Sequence, residues 1–282
     1  EDPRDLGPRR VLGRITPTVG REKEIAELQT LYHQMLRDSY PRAALVTGPA
    51  GVGKSRVRSE LIQRLEVAPA PPEVLVVRGS ADHSSGSISL FGKALRTRMG
   101  VQDGADAAQQ VELVKHHVRE RLPRSLHFLG AFLGELVGVP FPDHSDEPLR
   151  AARANDQLMQ SRIRMALEAY VRTQAGRIPQ VVVLEDAHDA DDTTIELIEW
   201  LLHCPDIRFV CYAFGQPDVI AMRPKLWSRA SLLRMSLGPL PPSAAERMIL
   251  NVLPECHADK RREMVKRAAG NPFVLEELVR CL

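Results

Sequence analysis

The stretch Gly48-Pro49-Ala50-Gly51-Val52-Gly53-Lys54-Ser55 holds the residues whose types and spacing point most directly to chemistry. Gly48 and Gly53 with four residues between them, then Lys and Ser, fit the pattern of a phosphate-binding loop. Gly48, Gly51 and Gly53 let the backbone curl so that successive N–H groups point at phosphate oxygens. Pro49, Ala50 and Val52 complete that backbone cradle, and Arg56 follows at the start of the next helix as part of the same binding set. Lys54 is placed to reach the β- and γ-phosphates, and the Ser55 hydroxyl to complete a Mg²⁺ shell. A nucleoside triphosphate with Mg²⁺ is the expected ligand.

Binding alone hydrolyses nothing. A carboxylate is needed at the tip of a neighbouring strand, close to the metal and the γ-phosphate. Val181-Val182-Val183-Leu184 ends in Glu185-Asp186, which supplies two acids there. In the usual order the first acid faces the metal and the second polarises the attacking water. Asp186, Glu185 and Lys54 are therefore the catalytic candidates, and Ser55, Glu185 and Asp186 the metal candidates. The order here reverses the common Asp-then-Glu pair, and the shorter Asp186 predicts slow turnover. Asp189, Asp191 and Asp192 follow, with Asp192 read as a helix cap. His188 reads either as a γ-phosphate sensor or as a surface turn residue.

The elements that must position these groups alternate in type. An apolar run at 43–47 precedes the loop and a helix at 55–65 follows it, the strand–loop–helix context the motif requires. Strands are predicted at 73–78, 181–184, 208–214 and 232–237, and helices at 90–99, 106–122, 151–175 and from Thr193 to about 203. The segment 125–149 gives a poor signal. Thr193 and Glu196, and again Ser243 and Glu246, have capping-box spacing. Beyond Pro239 the strands stop: helices are expected at 244–253 and 258–269, then at 273–281 with Asn271 as N-cap and Pro272 at N1. The fold class is α/β: a parallel five-stranded sheet covered by helices on both faces, plus a small C-terminal helical subdomain. Boundaries fall at 1–17 (an irregular Pro-, Arg- and Gly-rich lead-in), 18–238 (the nucleotide-binding domain) and 239–282 (a helical lid).

At 282 residues and a formal net charge of +2, the totals call for neither nucleic acid nor an acidic membrane. Four cysteines without C-x-x-C spacing suit a reduced, cytoplasmic protein, and a zinc site from Cys204, Cys211, Cys256 and their neighbouring histidines is not expected. The longest apolar stretch, 128–139, is short for a bilayer and carries Glu135. The chain begins with Glu and reads as an internal piece of something larger.

With these residues assembled, the chain resembles the signal-transduction ATPases with numerous domains (STAND), a regulatory branch of the AAA+-related P-loop proteins found in large bacterial transcription regulators and kinase or cyclase fusions. The likeness runs over 18–282. It is carried by Val19-Gly20-Arg21-Glu22-Lys23-Glu24, Gly48 to Ser55, Val77-Arg78-Gly79, Leu184-Glu185-Asp186-Ala187-His188-Asp189-Ala190-Asp191, and Gly270-Asn271-Pro272-Phe273-Val274-Leu275-Glu276-Glu277-Leu278. The resemblance implies that Val19, Gly20 and Arg21 pack around adenine and ribose while Pro272 closes from the other side. It implies ATP or ADP with Mg²⁺ as the ligand, and a switch between a closed ADP state and an ATP state that self-associates or contacts other domains of a parent protein. Gln216 stands where such modules often carry a sensor Arg, and it offers no charge to the γ-phosphate. Two other readings stay open: an interaction module with negligible hydrolysis, and a DNA-associated initiator- or loader-like ATPase, for which no basic stripe is seen.

Overall fold

The computed structural model describes residues 10–11, 14–15, 17–80, 88–144, 146–227 and 230–281. Most of the lead-in and the segment 81–87 lie outside the described residues. Within the lead-in, Arg10–Val11 pairs antiparallel with Arg14–Ile15.

Five strands form one parallel sheet: β1 (Arg42–Thr47), β2 (Glu73–Arg78), β3 (Gln180–Glu185), β4 (Phe209–Gly215) and β5 (Leu232–Ser236). Their spatial order is β2-β3-β4-β1-β5, every neighbour parallel. The expected sheet is therefore present, and all five predicted strands form it. Strand β3 shows why its sequence is continuously apolar. Val182 and Leu184 enter the core on one face, Val181 and Val183 the core on the other, so both sets of side chains leave water. The first core is roofed by α3 (Leu90–Arg98), α4 (Ala107–Arg121), α5 (Gly130–Leu136), α6 (Glu147–Arg153), α7 (Asp156–Ala175) and α8 (Asp192–Leu202). The second is roofed by α1 (Glu22–Asp38) and α2 (Lys54–Glu66).

Three sequence readings need correction. The single helix over 151–175 is two helices, α6 and α7, broken at Ala154-Asn155. Asn155 turns extended and its side chain accepts from the Leu158 N–H at 3.1 Å, so a new N-terminus wins over continuing periodicity. Helix α8 is capped by Asp191, which accepts from the Thr194 N–H at 2.7 Å, and not by Thr193 or Asp192. Asp192 lies in the first turn and pairs with Arg223 at 2.6 Å. The helix expected from Ser243 starts earlier, as α10 (Pro242–Val252), with Pro241 at the cap and without a side-chain capping bond. Two prolines with preset φ do that work instead. A short α9 (Val219–Met222) precedes β5. The first half of the poorly signalled segment is helical: a 3₁₀ turn Arg124–Leu129 leads into α5, six of whose seven residues are buried.

Helices α10, α11 (Ala258–Ala268) and α12 (Pro272–Arg280) pack on a hydrophobic cluster of their own, with Ile249, Leu275 and Val279 at its centre. Asn271 caps α12 and accepts from the Phe273 N–H at 3.0 Å, as the sequence predicted.

Candidate functional site

The site begins where β1 ends. Gly48 turns the chain, its N–H donating to the Gly215 carbonyl of β4 at 3.3 Å, and Gly51 and Gly53 adopt left-handed φ values of 78° and 102°. Those conformations favour glycine and bring the chain round into α2. Helix α2 starts at Lys54 behind Gly53, without a side-chain cap, so its first-turn N–H groups remain for an anion. The Lys54 ammonium donates to the carbonyls of Gly48 at 2.7 Å and Pro49 at 3.1 Å, which holds it folded over the loop. Burial lowers its pKa, and Asp186 and Asp218 oppose that shift, so both acids lie within electrostatic reach.

The cavity above this loop has a volume of about 260 Å³ and joins three segments far apart in sequence. The loop contributes Gly51, Val52 and Gly53, with Lys54 to Arg56 beyond; a strap at 17–19 contributes Thr18 and Val19; the helical subdomain contributes Leu240, Met248, Pro272 and Glu276. Thr18 is pinned to α2, accepting from Arg56 Nε at 2.9 Å and donating to Glu60 at 2.9 Å. The lid also touches the loop directly: Asn271 Nδ2 donates to the Ala50 carbonyl at 3.3 Å, and the Phe273 N–H to the Gly51 carbonyl at 3.3 Å. Gly20, at φ 70°, lies against Ala244 and Leu240 of the lid side, where an added Cβ would meet Ala244 at 2.5 Å.

Arg21 lines the cavity, yet its guanidinium is engaged elsewhere. It is buried, and Nη2 donates to the carbonyls of Val52 at 3.2 Å and Gly238 at 2.6 Å, while Nη1 pairs with Glu24 at 3.1 Å. Its side chain thus ties the phosphate loop to the segment that leads into the lid.

The two acids part company at the tip of β3. Glu185 is buried, and its carboxylate is held by Arg58 of α2 and by Arg78, whose Nε donates at 2.8 Å. Asp186 is exposed, with a left-handed φ of 47°. Gly79 packs against its backbone so closely that a Cβ would lie 2.2 Å from the Asp186 carbonyl oxygen. Of the two carboxylates, only that of Asp186 is open towards the loop and Lys54. Nearby, the Gln216 side chain lies 3.1 Å from His188 Nε2, and the Gln216 N–H donates to His188 Nδ1 at 3.5 Å. His188 and Gln216 therefore form one unit at the tips of β3 and β4.

The donor set fits a nucleotide-bound Mg²⁺. Ser55 and Asp186 are both exposed at the cradle. A magnesium ion that keeps its waters and shares phosphate oxygens needs only one or two protein oxygens. Among the described residues no group of three or more His, Cys, Asp or Glu is disposed to hold a metal by itself. Cys211 is buried within β4. No helix of the described residues is long and apolar enough to cross a membrane. Sequence reading did not single out Arg58, Thr18 and Glu60, whose local pattern carries no mark, and it quoted Glu276 only as part of the phrase around Pro272.

Residues 17–211 match the family model described as AAA ATPase domain. Two solved structures align with most of this chain at low identity, the first of them with the same fold. The ORC1 protein of Aeropyrum pernix, determined in complex with DNA, is 14% identical with a TM-score of 0.55, over 94% of this chain and 59% of that one. A STAND protein with a tetratricopeptide repeat sensor from Pyrococcus horikoshii is 14% identical with a TM-score of 0.42, over 95% of this chain and 33% of that one. The chain thus spans less than two thirds of either. Compared with curated proteins, the sequence finds no match.

Proposed function

Because the chain belongs to the AAA ATPase domain family, we propose that it is a nucleotide-dependent switch, binding ATP or ADP with Mg²⁺ between a P-loop domain (18–238) and a helical lid (239–282). The observation that carries this reading is the shared cavity, whose floor is the phosphate loop and whose wall is the lid. A ligand that touches both parts stabilises their closed arrangement by its differential affinity for it. Loss of the γ-phosphate contacts is then a change the lid can register, and attached domains or a second copy of the chain can read it.

When bound, Mg²⁺ supplies charge neutralisation at the β- and γ-phosphates. Ser55 and Asp186 are the residues that would hold it. Lys54 and the first-turn N–H groups of α2 orient the phosphates. Asp186 is also the candidate acceptor for a proton from attacking water, and the Gln216–His188 unit orients a neutral amide towards the terminal phosphate. Glu185, engaged by two arginines, acts in this reading as a scaffold that fixes α2 against β3.

The interaction-module reading, with negligible hydrolysis, is favoured by one observation: a single open carboxylate at the strand tip, where efficient ATPases use two. Calorimetry with ADP and single-turnover assays with labelled ATP test both. Wild type should bind ADP, and Lys54→Ala should weaken binding at least about a hundredfold. Asp186→Ala should keep ADP binding and lose phosphate release. Equal ADP affinity in wild type and Lys54→Ala would remove the proposal. Phosphate release no faster than in Lys54→Ala would leave the interaction module.

A further inference from the structure

Charges of both signs line the cavity. The cations are Lys54 and Arg56 at the start of α2, and Arg21, whose guanidinium is held by backbone carbonyls and Glu24. Val19 of the strap and Leu240 and Met248 of the helical subdomain add apolar wall, and one carboxylate stands among the described lining residues, Glu276 of α12. Glu276 is 7% exposed and sits one helical turn after Pro272, so both present the same face of α12 to the cavity. A buried carboxylate is costly and offers only acceptors. Placed beside a polyphosphate it would repel, so its partner in a bound ligand must be the opposite end of the molecule and must carry N–H donors. A carboxylate has about four lone-pair positions, enough to accept from a ligand in addition to the neighbours it already has.

We infer that Glu276 reads the nucleobase, its carboxylate accepting a hydrogen bond from the exocyclic 6-amino group of adenine. The inference rests on the nucleotide reading above and deepens it: a flat apolar slot holds a purine, and Glu276 selects the purine that donates at its 6-position. A 6-oxo purine turns a carbonyl oxygen towards the acid, and an unsubstituted purine leaves the acid without the ligand's donor. A site built to hydrogen-bond a ligand N–H rejects the analogue that lacks it far more strongly than an apolar slot rejects a missing methylene.

The test is titration calorimetry of the full chain with ADP, purine riboside diphosphate (which lacks only the amino group) and GDP. Wild type should bind ADP at least about tenfold more tightly than either analogue. Glu276→Leu should bring the ratio of ADP to purine riboside diphosphate affinities close to unity, whereas Glu276→Gln, which keeps an acceptor, should retain most of it. The wild-type comparison needs no variant, so a folding defect in Glu276→Leu leaves the inference testable. Equal affinity of wild type for ADP and purine riboside diphosphate would overturn it, as would an unchanged ratio in Glu276→Leu or GDP binding as tight as ADP. Absence of binding by all three diphosphates would overturn the underlying nucleotide reading instead.

Discussion

Arg21 Nη2 donates to the carbonyl oxygen of Gly238 at 2.6 Å, across 217 residues of chain. The same nitrogen reaches the Val52 carbonyl of the phosphate loop, so one buried guanidinium fastens the start of α1, the loop and the entry to the lid. This is a mechanical link between the two parts that share the cavity.

Truncating that link should therefore destabilise the chain and loosen the lid together. Hydrogen bonds to a charged donor are worth about 1.5–3 kcal/mol each when buried. Arg21→Met should lower stability by about 2–3 kcal/mol in urea unfolding and increase protease cleavage near Gly238 under native conditions. Lys at this position reaches one carbonyl and should recover part of the loss. Wild-type stability in Arg21→Met would show that the two carbonyls are satisfied without it.

The division between Glu185 and Asp186 separates stability from metal dependence. Glu185→Gln leaves Arg58 and Arg78 facing a neutral amide. Breaking a buried pair costs about 3–5 kcal/mol, and the partial exposure of Arg78 places this case near or below the lower end. Asp186→Asn removes an exposed charge and should change stability by less than about 0.5 kcal/mol. In Mg²⁺ titrations of ADP affinity the order should reverse, with Asp186→Asn shifting the midpoint and Glu185→Gln leaving it in place. A shifted midpoint in Glu185→Gln would return Glu185 to the metal.

Gly51 is where the lid rests on the loop. It holds φ 78°, and a Cβ there would approach Asn271 Oδ1 to 2.7 Å and Phe273 Cβ to 3.1 Å. Gly51→Ala should thus cost about 1 kcal/mol of local strain and push α12 off the loop. Amide exchange reads this directly: the Phe273 and Val274 N–H groups should lose protection while β3 keeps it. Unchanged protection at Phe273 would mean the loop, not the lid, absorbs the extra atom.

His117 provides a pH signature unrelated to the nucleotide. It is buried between α4 and α7, its Nε2 lies 2.9 Å from the Tyr170 hydroxyl, and burial pulls its pKa down from 6.5 to about 4, helped by Arg121 and Arg98. Because the folded pKa lies below the unfolded one, the neutral ring stabilises the fold. That contribution is complete above about pH 6.5 and is lost as the pH falls towards 4. The full difference is about 3 kcal/mol. Urea unfolding across this window should show a steeper decline for wild type than for His117→Gln, which keeps a neutral partner for Tyr170. Parallel curves would place the charged ring within the folded state at no cost.

The sequence alone determined the sheet, the phosphate loop and most helices, because each depends on near neighbours. Alternation of core faces in β3, three glycines around a lysine, and Asn271-Pro272 at the head of α12 are local statements about backbone and burial. Short-range competition produced the errors: Asn155 outbids the apolar period of α6 and α7, and Asp191 takes the cap that Thr193 or Asp192 could have held.

Tertiary structure alone decided where long charged side chains go. Arg58 meets Glu185 across 127 residues, Arg21 reaches two distant backbone carbonyls, and Glu276 lines the cavity from the last helix. The reason is physical. An arginine or glutamate reads the same in sequence whether it ends in solvent or in an ion pair, and only the packing of distant elements removes the water that would otherwise satisfy it.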